Sequence, residues 1–294
     1  MPSSRNDDSE DRAIHRLRPV SRADDDEHDF DDRVGALDDP DHSRRRGIYL
    51  LPNLITTGAL FAGFFAIVAA MHGSYQSAAI AIFAAMVLDA ADGRVARLTR
   101  TESAFGAQYD SLSDMVAFGV APALVIFAWS LQSLGQGGWV ATFIYMACAA
   151  LRLARFNMDH DNSSFTGLAS PSAAAIVAGT VWVLSESAPT LPGPDGFGAV
   201  MLAVLTAAVG LLMVSPVRYW SPKLINLKGR VPFVTLVAIV MGYAIVMVDP
   251  PRVLLGLAVA YALSGPLQWL WQWLRSQSRT HSRGADSKEP AGRE

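Results

Sequence analysis

Residues 78–97 read AAIAIFAAMVLDAADGRVAR: eleven apolar residues from Ala78 to Leu88, then Asp89, Asp92, Arg94 and Arg97 within the next nine. The alanine-rich half favours helix and carries nothing that holds it in water. The charged half continues the same helix, and Asp89 and Asp92, three residues apart, share one of its faces. Two carboxylates on the end of so apolar a helix belong either to the interior of a large soluble protein or to a membrane. The rest of the chain decides between them.

The chain has 294 residues and 51 charged ones, 17% of the total. Residues 1–46 hold 23 of these and residues 275–294 hold 8, which leaves 20 for the 228 residues between. A soluble domain carries roughly 25% charge, and a middle with less than half of that cannot cover a globule with water-compatible groups. The middle belongs in a bilayer. Apolar runs near the ~20 residues of a spanning helix lie at 49–71, 75–96, 112–132, 138–156, 168–186, 196–215, 231–248 and 253–273. The fold expected is therefore all-α, a polytopic membrane bundle of about eight helices.

Basic residues set the orientation. With the N-terminus inside, 23 of the 24 fall on the inner face and only Arg252 falls outside, so both termini and the ends bearing Asp89 and Asp92 are expected in the cytoplasm. Residues 1–46 carry 14 acidic and 9 basic side chains without apolar periodicity and are expected to be a disordered acidic tail. Residues 275–294 form a second tail, and 47–274 the membrane domain. No short apolar segment with a cleavage pattern suggests a signal peptide. The lone Cys148 excludes an internal disulfide framework, no Cys/His cluster has zinc spacing, and no basic face suits nucleic acid.

Intramembrane ionisable groups are costly and point to function. Asp110 and Asp114, one helical turn apart at the inner start of the third run, face the Asp89 and Asp92 pair across a short connection. Four such anions repel one another unless cations neutralise them. Oxygen-only ligands suit Mg2+, Mn2+ or Ca2+, and two bridged divalent ions make a centre for in-line displacement at a phosphate or pyrophosphate. Gly93, Ala96 and Gly106 leave room for a ligand beside the backbone, and Arg97 offers a forked donor to phosphate. Asn53 either reaches that ligand or caps the first helix.

The string Asp89-Ala-Ala-Asp92-Gly93-Arg-Val-Ala96-Arg97, eight residues, Gly106, three residues, Asp110, three residues, Asp114 resembles the signature of the CDP-alcohol phosphotransferases at all eight specified positions. Around it, Phe118-Gly119-Val-Ala-Pro122, Arg152-Leu-Ala-Arg155-Phe156-Asn157, Phe165-Thr-Gly167-Leu-Ala-Ser170-Pro171 and Arg218-Tyr219 followed by Lys223 are similar to the phosphatidylserine synthases of the integral-membrane type. Pro52-Asn53 with Thr56 and Thr57 resembles that family's first-helix entry. The likeness covers about residues 48–230, with Ala169 and Pro216 departing from the pattern.

The resemblance implies a six-helix core plus two further helices, homodimeric assembly and residence in a bacterial inner membrane. It implies transfer of the phosphatidyl group of CDP-diacylglycerol to the hydroxyl of L-serine, with CMP leaving. Two divalent cations, Mg2+ or Mn2+, would be held by Asp89, Asp92, Asp110 and Asp114, with Asp114 also the general base. Gly93, Ala96, Arg97, Gly106 and Asn53 would hold the CDP moiety. Arg152, Arg155, Arg218 and Lys223 suit the serine carboxylate or the lipid phosphate, with plain positive-inside anchoring as the competing reading. Other acceptors, namely glycerol-3-phosphate, inositol phosphate or choline, would use the same chemistry. A cation-coupled transporter is disfavoured, because no carboxylate lies midway through the other spans to continue a path across the bilayer.

Overall fold

The computed structural model describes residues 40–101, 103–158, 167–186, 193–217, 219 and 233–283. The chain divides into two units, Met1–Gly47 and Ile48–Glu294, and the helix bundle lies in the second. Its elements are α1 (Pro40–Met71), α2 (Tyr75–Thr99), α3 (Ala104–Asp114), a π-helical segment (Met115–Val120), α4 (Ala121–Trp129), a 3-10 turn (Leu131–Leu134), α5 (Gln136–Met158), α6 (Ser170–Ser185), α7 (Gly196–Val214), α8 (Phe233–Val248) and α9 (Pro250–Arg283). Among the described residues there is no strand. Of the tails expected at 1–46 and 275–294, residues 1–39 and 284–294 fall outside the described residues, whereas 40–46 and 275–283 are helical, as the ends of α1 and α9.

Four helical stretches are long and apolar enough to cross a membrane: Leu51–Met71, Ala104–Trp129, Gln136–Met158 and Gly196–Val214. Val240–Val248 and Pro250–Gln268 meet at 116° and add a fifth if taken as one span. The protein is an integral membrane helix bundle. By length and composition the described residues thus give four or five crossings where the apolar runs suggest eight. Ser170–Ser185 is apolar but has 16 residues, and α2 carries Asp89, Asp92, Arg94 and Arg97 in its last turns. The large apolar side chains left bare, such as Leu54, Phe61, Phe143 and Val204, are what a lipid-facing surface presents.

The third span begins earlier than the apolar run suggests. The Ser103 hydroxyl accepts a 3.0 Å bond from the Gly106 amide, an N-cap that starts α3 at Ala104. Asp110 and Asp114 consequently lie inside a helix that continues to Trp129, rather than at its start. Just before, α2 is closed by Arg100 in the left-handed region (φ 53°) and by a 3.0 Å bond from the Thr101 amide to the Ala96 carbonyl. This is the usual way a helix C-terminus satisfies its last carbonyls. The α2–α3 connection is thus confined to residues 100–103, and it folds the two carboxylate pairs together.

The core explains how the two pairs are held. α6 sits at the centre, buried along Ala173–Gly179 and at Val181, and packs against α2 and α9, while α5 lies along α7. Small residues allow the close crossings, as is usual where lipid gives helices no solvent-driven reason to associate. A Cβ on Gly63 of α1 would lie 2.8 Å from the Ala117 Cα in the π-helical segment, and one on Gly210 would lie 2.8 Å from the Tyr145 Cα. Phe118, Ile82, Ile126 and Tyr145 fill the interior. The Tyr145 hydroxyl donates to the Phe118 carbonyl at 2.9 Å, serving a carbonyl in the stretch where the wider π turn shifts the backbone ladder. Arg252, the one basic residue assigned outside, pairs with Asp249 at 2.5 Å and Glu186 at 2.9 Å.

Candidate active site

Asp89 and Asp92 project from the last turns of α2, and Asp110 from α3. One carboxylate oxygen from each lies within 4.8 Å of the others. Asp114, a turn beyond Asp110, is not part of that triad, but its side chain lies within hydrogen-bonding reach of Asp89. The Asp110 Oδ1 is buried without a hydrogen-bond partner, which is costly for a carboxylate unless something positive meets it. A set of carboxylate oxygens, one of them orphaned, fits a hard divalent cation and gives zinc or copper no softer ligand.

Two of the three, Asp92 and Asp110, line a cavity of about 280 Å3. Asn53, Asp92, Gly93, Ala96, Gly106 and Asp110, all singled out from the sequence, line it, together with Pro52, Thr56, Thr101, Ser103 and Ala107. Gly93 faces open space, since a Cβ there would meet nothing closer than the Arg97 Nη2 at 4.0 Å. Gly106 is tighter, with the Ser103 Oγ 3.1 Å and the Asn53 Oδ1 3.4 Å from a Cβ placed on it. Arg97 does not line the cavity, and its Nε donates to the Gly93 carbonyl at 2.9 Å.

Thr56, 5% exposed, is the lining residue that residue-by-residue reasoning passes over. Its hydroxyl lies 2.6 Å from the Asp92 Oδ2. The Ser113 hydroxyl in turn donates to the Thr56 carbonyl at 3.2 Å, so α1, α2 and α3 meet at this point. In the sequence Thr56 stands out only through the resemblance of Pro52-Asn53, Thr56 and Thr57 to the family's first-helix entry, which assigns it no role.

Of the basic residues singled out from the sequence, Arg152 lies near the acids. Arg152 of α5 donates from Nη1 to the Ser170 Oγ at 2.9 Å, its Nε is buried without a partner, and its charge is within Coulombic reach of Asp114. Arg155 is half-buried one turn later. The Ser111 hydroxyl donates to the Asn157 Oδ1 at 3.1 Å and ties the end of α5 to α3. Gly167, with φ +87°, donates from its amide to the Val217 carbonyl at 2.8 Å, and a Cβ there would lie 2.1 Å from the Met213 carbonyl oxygen. That pin sets the start of α6, and with it Ser170, against Arg152. Arg218 and Lys223 lie outside the described residues.

A carboxylate cluster with an arginine beside it suits chemistry at a phosphate group. The profile of the CDP-alcohol phosphatidyltransferase family matches residues 49–264, and the chain belongs to that family of enzymes. Curated relatives agree. The CDP-diacylglycerol--serine O-phosphatidyltransferase of Helicobacter pylori (strain ATCC 700392 / 26695) is 35% identical over 227 residues, covering 76% of this chain and 92% of the relative. Proteins of the same name from Mycobacterium tuberculosis (strain ATCC 25618 / H37Rv) and Methanocaldococcus jannaschii are each 32% identical, over 64% of this chain and 80% and 82% of theirs.

Proposed function

We propose that the protein transfers the phosphatidyl group of CDP-diacylglycerol to the hydroxyl of L-serine, giving phosphatidylserine and CMP. The observation that carries this is the carboxylate triad, two of whose members line a cavity between α1, α2 and α3, in a chain whose curated relatives are named for that reaction.

In this reading Asp89, Asp92, Asp110 and Asp114 hold two divalent cations, Mg2+ or Mn2+. When bound, such ions offset the charge of the pyrophosphate and the charge that develops on the departing CMP. Asn53, Gly93, Ala96 and Gly106 seat the CDP moiety, the glycines by letting phosphate approach the backbone, and Arg97, which does not line the cavity but holds its Nη2 4.0 Å from a Cβ placed on Gly93, turns its terminal nitrogens to the phosphates. Asp114 accepts the proton of the serine hydroxyl as its oxygen bonds to the phosphatidyl phosphorus and the bond to the CMP oxygen breaks. Arg152, held by Ser170, and Arg155 orient the acceptor carboxylate or the lipid phosphate, a task for which a planar fork of donors is suited; Arg218 and Lys223 join them.

We further propose eight membrane crossings, with α8 and α9 as two of them, since a 116° turn sends the chain back toward the face it left. Both termini and the site lie in the cytoplasm, the membrane is a bacterial inner membrane, 1–46 and 275–294 are tails about a 47–274 domain, and the enzyme is a homodimer. The test of the reaction is CMP release by purified protein given CDP-diacylglycerol, a divalent ion and a panel of alcohols. Serine should support release and EDTA should stop it; release with glycerol-3-phosphate, inositol phosphate or choline in its place would overturn the serine assignment.

A further inference from the structure

We infer that Thr56 is a positioning residue for the metal centre: its hydroxyl is committed to the Asp92 carboxylate and sets the angle at which Asp92 meets a cation. The inference rests on the reading of Asp89, Asp92 and Asp110 as cation ligands.

The commitment is visible by comparison with the other helical threonines. A threonine inside a helix ordinarily donates back to the carbonyl four residues earlier. Thr57, Thr99, Thr142, Thr180 and Thr206 do so, at 2.7, 2.7, 2.8, 2.7 and 2.7 Å. Thr56 departs from them. Its back-contact to the Pro52 carbonyl is stretched to 3.1 Å, while the Asp92 Oδ2, 36 residues away, lies at 2.6 Å. A hydroxyl has one proton, and the shorter contact to a charged acceptor takes it. The price is a weakened local bond on α1.

Both partners are buried, Thr56 to 5% and Asp92 to 4% exposure, which favours a direct contact between them over separate hydration of each group. The Ser113 bond to the Thr56 carbonyl holds this turn of α1 against the helix that carries Asp110 and Asp114. One rotation about the Asp92 side chain is thereby fixed relative to the other two ligands. Hydrogen bonds behind a metal ligand commonly contribute about 10- to 100-fold in metal affinity, and nothing else among the described contacts reaches Asp92 from α1.

The experiment is Mn2+ binding to the full-length protein in detergent, without substrate, followed by the loss of the free-ion signal in electron paramagnetic resonance. Thr56→Val keeps the shape and removes the proton, and should raise the Kd about 10-fold or more. Thr56→Ser restores the hydroxyl and should bind close to wild type. If the valine protein does not fold, Thr56→Ala against Thr56→Ser carries the same comparison. Thr206→Val, which deletes an ordinary back-bond, should bind like wild type. Wild-type affinity in Thr56→Val while Asp92→Asn binds weakly overturns the inference and leaves the metal reading standing. Equal weakening in Thr56→Val and Thr56→Ser, or in Thr206→Val, also overturns it. Failure of the wild-type protein to bind Mn2+, or an Asp92→Asn protein that binds like wild type, overturns the metal reading itself.

Discussion

Asp114→Asn separates two roles that the proposed mechanism gives to one side chain. Asparagine has the same shape, and its amide can donate to Asp89, which the Asp114 side chain already approaches within hydrogen-bonding reach. The fold should therefore survive. The three carboxylates whose oxygens lie within 4.8 Å of one another are untouched, so Mn2+ binding should change far less than turnover. A positioned general base contributes roughly 10^2- to 10^4-fold, equivalent to about 2.7 to 5.4 kcal/mol in the barrier at 1.36 kcal/mol per factor of ten. We expect kcat for CMP release at saturating metal and serine to fall by about 10^3-fold. The assay is CMP release over a full Mn2+ titration. If excess Mn2+ restores wild-type kcat, Asp114 acts as a ligand alone; wild-type turnover at every metal concentration removes it from the mechanism.

The remaining predictions are simpler. Arg155→Ala should raise the KM for serine more than it lowers kcat at saturation, and an unchanged serine dependence excludes an acceptor role. Gly63→Ala should cost about 1 to 3 kcal/mol by overpacking, because the new Cβ would lie 2.8 Å from the Ala117 Cα and 3.2 Å from its amide nitrogen, backbone that cannot swing aside. An unaltered thermal midpoint in detergent contradicts that packing. EDTA should abolish CMP release, with Mg2+ or Mn2+ restoring it.

Much of the site is legible in the chain because it is local. Asp89 and Asp92 share a face by helical spacing, as do Asp110 and Asp114, and a connection confined to residues 100–103 leaves the two pairs little choice but to meet. Gly93, Ala96 and Gly106 are read as small residues beside a ligand, and each lines the cavity. Arg97 carries the same kind of sequence signal, yet its Nε turns back to its own helix, because a long side chain on an exposed helix end has many rotamers that spacing does not choose among. The start of the third span is misplaced for a related reason. Hydropathy marks where a helix becomes apolar, whereas the Ser103 cap marks where it begins.

The sequence by itself determined the class: a charge-poor middle requires lipid, lipid requires helices that satisfy their own backbone, and acids within such helices point to function. It also paired Asp89 with Asp92 and Asp110 with Asp114, since 3.6 residues per turn fixes neighbours on one helix. Tertiary structure alone decided which groups meet across helices. The Thr56 contact to Asp92 spans 36 residues, the Arg152 contact to Ser170 spans 18, and Asp114 reaches Asp89 rather than joining the triad. Those pairings depend on the rotation of one helix about its axis against the next. Close crossings such as Gly63 on Ala117 and Gly210 on Tyr145 set that rotation, and no periodicity within a single helix encodes it.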